Sequence, residues 1–218
     1  MATVRAPAAD VFRWTDRRLP PNTHVLICPT EETASGAVDL LLSLLSRELA
    51  VPIKDIVWHR PSIATTRTGT ARVFTSISRT DGAVAAAVSR HPIGVDIEAT
   101  QTEEQSHDLI TLFHPRDRAA AGRVAGIARQ RRVTTIWTRI EAVLKLRGTG
   151  LRIDPAQVRV GPGPRPLRGR RIRTVSAVAA LSATAEYSVS LAWDRGRVCG
   201  SGPRGILHLL KSQPTGVG

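Results

Sequence analysis

Apolar positions fall into two periods along the chain, and each period predicts its own kind of element. Val38, Leu41, Leu42, Leu45 and Leu49 recur at three- and four-residue spacing, which predicts a helix with one broad apolar face. Thr30 supplies its cap, and Glu31 and Glu32 stand in its first turn. The short runs His24–Cys28, Val51–Trp58, Val73–Ser78 and Ala83–Ser89 predict strands, the last two pairing across Thr80-Asp81-Gly82. Residues 1–24, with Pro7, Pro20 and Pro21, predict an irregular arm, and Pro61–Ala71 a polar loop. A helical pattern through Leu109, Ile110, Leu112 and Phe113 precedes an Ala/Arg-rich helix, with Pro115 between them. Val133, Ile136, Trp137, Ile140, Val143 and Leu144 predict a long helix that Gly148 closes. Residues 158–173 predict a basic loop with strand ends, Val175–Leu181 and Tyr187–Trp193 a closing hairpin, and residues 212–218 a disordered tail.

Strands and helices are mixed without regular βαβ alternation, so the fold class is α+β. With 218 residues, 42% of them hydrophobic, the chain can bury a core as one large domain or two small lobes. The net charge of +13 is carried by arginine, with lysine only at positions 54, 145 and 211. Such a balance suits nucleotides, nucleic acid and acidic proteins alike, and arginine preference also follows genome composition. Aromatics are only 4% of the chain and none lies within 159–173, which disfavours nucleic acid. Cys28 and Cys199 are too few for a disulfide scaffold or a zinc site. Without a bilayer-length apolar run or a signal-peptide core, a soluble cytoplasmic protein is expected.

One strand changes the picture. In His91-Pro92-Ile93-Gly94-Val95-Asp96-Ile97-Glu98 the apolar residues take one face, and Asp96 and Glu98 share the other. Their Cα atoms stand about 7 Å apart, so on a poorly solvated face they repel unless a cation intervenes. Oxygen-only carboxylate pairs suit magnesium, which also takes water and substrate phosphates. A solvated acidic edge strand is the plainer alternative. Further on, Thr138, Glu141 and Lys145 make a polar stripe beside the apolar face of the long helix. Alone, Glu141 and Lys145 amount to a surface ion pair. Beside the acidic strand they add a third carboxylate and a cation.

Gly94-Val95-Asp96-Ile97-Glu98, followed by Trp137-Thr138-Arg139-Ile140-Glu141-Ala142-Val143-Leu144-Lys145 and Gly148-Thr149-Gly150, resembles the 4′-phosphopantetheinyl transferase superfamily, nearest its monomeric surfactin-type branch. Phe113-His114-Pro115-Arg116-Asp117 matches more weakly a segment between the two motifs. The resemblance implies two pseudo-symmetric halves, each a small antiparallel sheet packed with a long helix. Residues 1–90 would form the first half and residues 91–211, carrying the metal motifs, the second. Between them a cleft would hold coenzyme A. It further implies transfer of the 4′-phosphopantetheine arm from coenzyme A to a serine of an acyl or peptidyl carrier protein, by a monomer serving secondary metabolism. Asp96, Glu98 and Glu141 would hold magnesium or manganese, Glu141 would accept the serine proton, and Lys145 would contact a phosphate.

Departures from the family pattern cluster on coenzyme A binding. Ser78-Arg79-Thr80 stands where the family carries Ser-His-Ser, so Ser78 and Arg79 are the candidates for that phosphate contact. Ile140 replaces a lysine before the glutamate, Gly69-Thr70-Ala71 is a remnant of a Gly-Lys-Pro loop, and Arg47 is the only clear cation of the first helix. Two alternatives follow: a repurposed relative that catalyses another reaction or only binds a carrier protein, and a basic nucleic-acid binder.

Overall fold

The computed structural model describes residues 12–29, 34–59, 63–69, 71–163, 171–181 and 186–196. In chain order the elements are β1 (Phe12–Trp14), β2 (Thr23–Pro29), α1 (Ala34–Leu49), β3 (Ile56–His59), β4 (Ile63–Thr66), β5 (Arg72–Thr80), β6 (Ala83–Ser89), β7 (Ile93–Ala99), α2 (Glu103–Thr111), α3 (Pro115–Ala121), α4 (Gly126–Arg147), β8 (Ile172–Ala180) and β9 (Glu186–Asp194). Strands up to Ser89 form a six-stranded sheet in the order β1-β2-β6-β5-β4-β3, and strands from Ile93 onward a three-stranded sheet in the order β7-β9-β8. Every pairing is antiparallel, so the α+β class holds.

Period-two alternation explains how the layers meet. Val84, Ala86 and Val88 of β6 pack with Val73 against Leu41, Leu44 and Leu45 of α1. Ala83, Ala85 and Ala87 turn the other way, into a core shared with Val25, Ile27, Val95, Ile97, Val189 and Leu191. Strand β6 is therefore buried on both faces, which is why all its residues are small or apolar. Helix α4 covers the outer face of the three-stranded sheet, with Val133, Ile136, Ile140 and Leu144 packed beside Phe113 and Ala192. The order of layers is α1, six-stranded sheet, three-stranded sheet, α4.

Gly94 sets the spacing of the last two layers. A Cβ there would lie 2.1 Å from the Ala142 carbonyl oxygen and 2.6 Å from the Leu146 nitrogen, so only a residue without a side chain lets α4 seat on β7. Helix α4 ends at Gly148, whose φ of 67° is the left-handed cap conformation, with its N–H on the carbonyls of Leu144 and Lys145.

Several local expectations are corrected. Phe12–Trp14, expected within an irregular arm, is an edge strand on β2. Ile63–Thr66, within the expected loop, is β4, whose Ala64 is fully buried and packs in the α1 core. Pro52 interrupts the run from Val51, leaving a short 3-10 turn over Ile53–Asp55 before β3. Helix α4 starts seven residues before Val133. Its polar first turns are held by tertiary pairs, Arg129 with Glu103 at 3.8 Å and Arg131 with Glu186 at 2.8 Å, which local periodicity does not register. Thr30, Glu31, Glu32, Thr70, Cys199, the first eleven residues and the tail at 212–218 lie outside the described residues.

Candidate active site

Strand β5 carries a stripe of hydroxyls, Ser76, Ser78 and Thr80, on the face toward β7. Ser76 Oγ accepts from the Val95 N–H at 2.9 Å. Ser78 Oγ donates to Asp96 Oδ1 at 2.7 Å, and Thr80 Oγ1 donates to Glu98 Oε2 at 2.9 Å. The two sheets are thus joined beside the acidic pair by side-chain hydroxyls.

Above this joint, Lys145 of α4 donates from Nζ to Asp96 Oδ1 at 2.7 Å and to Ser78 Oγ at 2.7 Å. Glu141 stands one turn earlier on the same side of the helix. Asp96 is only 2% exposed, and burial pushes its carboxyl up, while Lys145 and Ser78 pull it down. Glu98 is pushed up to about 7, by burial first and then by the Asp96 charge, with the Thr80 hydrogen bond opposing. Glu141 is raised by burial and then by Asp96, with Lys145 opposing. The structure therefore brings Asp96, Glu98, Glu141, Lys145 and Ser78 into one electrostatic neighbourhood.

Three carboxylates against one ammonium leave an excess of negative charge. Asp96 Oδ2, moreover, is buried without a hydrogen-bond partner. Among the described residues, no three His, Cys, Asp or Glu side chains are gathered tightly enough to hold a metal ion as they stand. Even so, the donor set fits a hard divalent cation: all the donors are oxygens, Lys145 offsets only part of the repulsion, and a buried oxygen lacks a partner.

Other sequence candidates lie elsewhere. Arg79 is exposed, and alternation directs it to the α1 face of β5, away from the carboxylates. Arg47, in the last turn of α1, borders a small cavity with Arg13, His24 and Glu48. That cavity is on the α1 side of the six-stranded sheet, beside His24, which pairs with Val88, whereas Ser78 pairs with Ala85. Ile140 is fully buried in the α4 core, so a lysine there would put an ammonium among apolar side chains rather than at the site.

Sequence reasoning missed the roles of Thr80, Ser76 and Gly94. The hydroxyl stripe at 76, 78 and 80 was a usable period-two signal; the close approach at Gly94 was not. Also missed was a buried network on the inner side of α4. Arg139, 2% exposed, donates to Ser176 Oγ at 2.7 Å and to the Gly161 carbonyl at 2.6 Å. Asp117 accepts from the backbone N–H groups of Val160 at 2.8 Å and Gly161 at 3.0 Å. Burial pulls Arg139 down to about 10, with Asp117 opposing, so the guanidinium stays charged near neutrality. Ser176 continues the chain through Ser190 to Thr138, each step 2.7 Å.

Residues 92–192 match a family model described as the 4′-phosphopantetheinyl transferase superfamily. The matched stretch holds Asp96, Glu98, Glu141 and Lys145, while Ser78 and Thr80 precede it. No curated protein matches the chain.

Proposed function

We propose, proceeding from that transferase-like second half, that the protein moves the 4′-phosphopantetheine arm of coenzyme A onto a serine of an acyl or peptidyl carrier protein in secondary metabolism, working as a cytoplasmic monomer of the surfactin-type branch. The observation that carries this reading is the meeting of Asp96, Glu98, Glu141 and Lys145 where the two sheets join. The serine oxygen bonds to the phosphorus bearing the pantetheine arm, the bond from that phosphorus to the bridging oxygen breaks, and adenosine 3′,5′-bisphosphate leaves. Asp96, Glu98 and Glu141 would hold magnesium or manganese, which when bound neutralises charge on the pyrophosphate oxygens. Glu141 takes the serine proton, a task suited to a carboxyl whose proton affinity burial has raised. Lys145 neutralises Asp96 and offers its remaining donors to a phosphate oxygen. Ser78 and Thr80 hold the carboxylates in place.

A repurposed relative is the second reading, favoured by Arg79 and Arg47 facing away from the carboxylates and by the burial of Ile140. Incubation with coenzyme A, magnesium and a panel of apo carrier proteins, followed by intact mass, separates the two. Gain of one phosphopantetheine arm per carrier is expected. No gain on any carrier, with no binding of coenzyme A at millimolar concentration, gives the case to the second reading.

A further inference from the structure

We propose that a second, separate site binds the phosphate group of a small phosphate monoester, in the cavity of about 230 Å³ between the end of α4, residues 157–160 and the start of β8. Its charged walls are Arg147, Arg159 and Arg171, with Gln157 and Thr174 supplying an amide and a hydroxyl. Among the described residues no carboxylate lines it.

The wiring of these arginines suits an anionic ligand. Arg171 is held by Asp194 at 2.7 Å. Arg147 and Arg159 have no ion pair among the described residues, and Arg159 Nε is buried without a hydrogen-bond partner. The buried acid that reaches this loop from α3, Asp117, is already taken by two backbone N–H groups. Three guanidiniums less one carboxylate leave a charge of two, which matches a phosphate monoester at neutral pH; a phosphodiester carries one charge and would leave a guanidinium unmatched. Planar guanidinium forks suit phosphate oxygens in particular. The volume lies below the range of about 300–1,000 Å³ usual for whole drug-sized ligands, so it seats a phosphate head and a short stem.

This site is distinct from the acidic one. Arg147 and Val143 each stand two residues from Lys145, about 200° around the helix, so the cavity opens on another side of α4. It does not depend on the transferase reading.

The test is calorimetric titration and thermal melting of the full chain at low ionic strength, without coenzyme A or divalent ions. The probes are inorganic phosphate, glycerol phosphate, and chloride at matched ionic strength. Glycerol phosphate should bind saturably, at least as tightly as inorganic phosphate, and raise Tm where chloride does not. Arg147→Gln and Arg159→Gln should each weaken it by about tenfold or more. Arg147 is exposed, so that variant decides the matter if Arg159→Gln fails to fold. A response to glycerol phosphate no greater than to chloride, or wild-type binding by Arg147→Gln, would overturn the proposal.

Discussion

Gly94 of β7 and Ala142 of α4 are in backbone contact, so close that a Cβ on the glycine would lie 2.1 Å from the alanine carbonyl oxygen. This contact lowers the helix onto the acidic strand, and so lets Glu141 and Lys145 reach Asp96 from the next turn. Gly94→Ala should cost about 3 kcal/mol, at the upper end of overpacking, because the obstacle is backbone and not a movable side chain. Urea unfolding measures it. A loss below about 0.5 kcal/mol would mean that α4 is free to shift.

Lys145 is the cation directly bonded to Asp96, at 2.7 Å. Lys145→Met should destabilise the fold by about 2 kcal/mol, less than the 3–5 of a fully buried pair, because the lysine side chain is still 31% exposed. Asp96→Asn together with Lys145→Met should recover much of that loss, since no charge is then stranded. Transfer to a carrier protein should fall by about 100-fold or more in the single variant. Parallel denaturation of the three variants checks the coupling.

Acidity should stabilise the site through Glu98. Its value in the folded chain, about 7, lies above the ordinary 4.5, so folding takes up a proton in between. The contribution is complete below the unfolded value and is lost as pH rises through 7. Between about pH 5.5 and about pH 8, wild-type Tm should fall by a few degrees more than that of Glu98→Gln. Magnesium at the higher pH should narrow the gap. Equal slopes for the two proteins would sink this assignment.

Asp117 should matter to stability although it lies away from the acidic pair. Asp117→Ala removes the acceptor of two buried N–H groups and the carboxylate facing Arg139, with an expected loss of about 3 kcal/mol. Hydrogen exchange should quicken at Val160 and Gly161 ahead of the β-sheets. Unchanged protection at those two amides would contradict the network.

Much was legible in the sequence because it is local. The leucine stripe of α1, the alternation of Ile93, Val95 and Ile97 against Asp96 and Glu98, and the spacing of Glu141 and Lys145 each follow from a helical or strand period within a few residues. What tertiary structure decided depends on distant partners. It chose Ser78 and Thr80, rather than Arg79, to face the carboxylates, because the face of β5 is set by which sheet packs on it. It closed α3, the 158–160 segment and β9 over the apolar stripe in which the helical period had already placed Ile140. It also made Ile63–Thr66 a strand, since a segment of only four residues is fixed by pairing with β3 on one side and β5 on the other. The distance at which two layers meet is written in no single segment, and at Gly94 that distance is what brings Lys145 within 2.7 Å of Asp96.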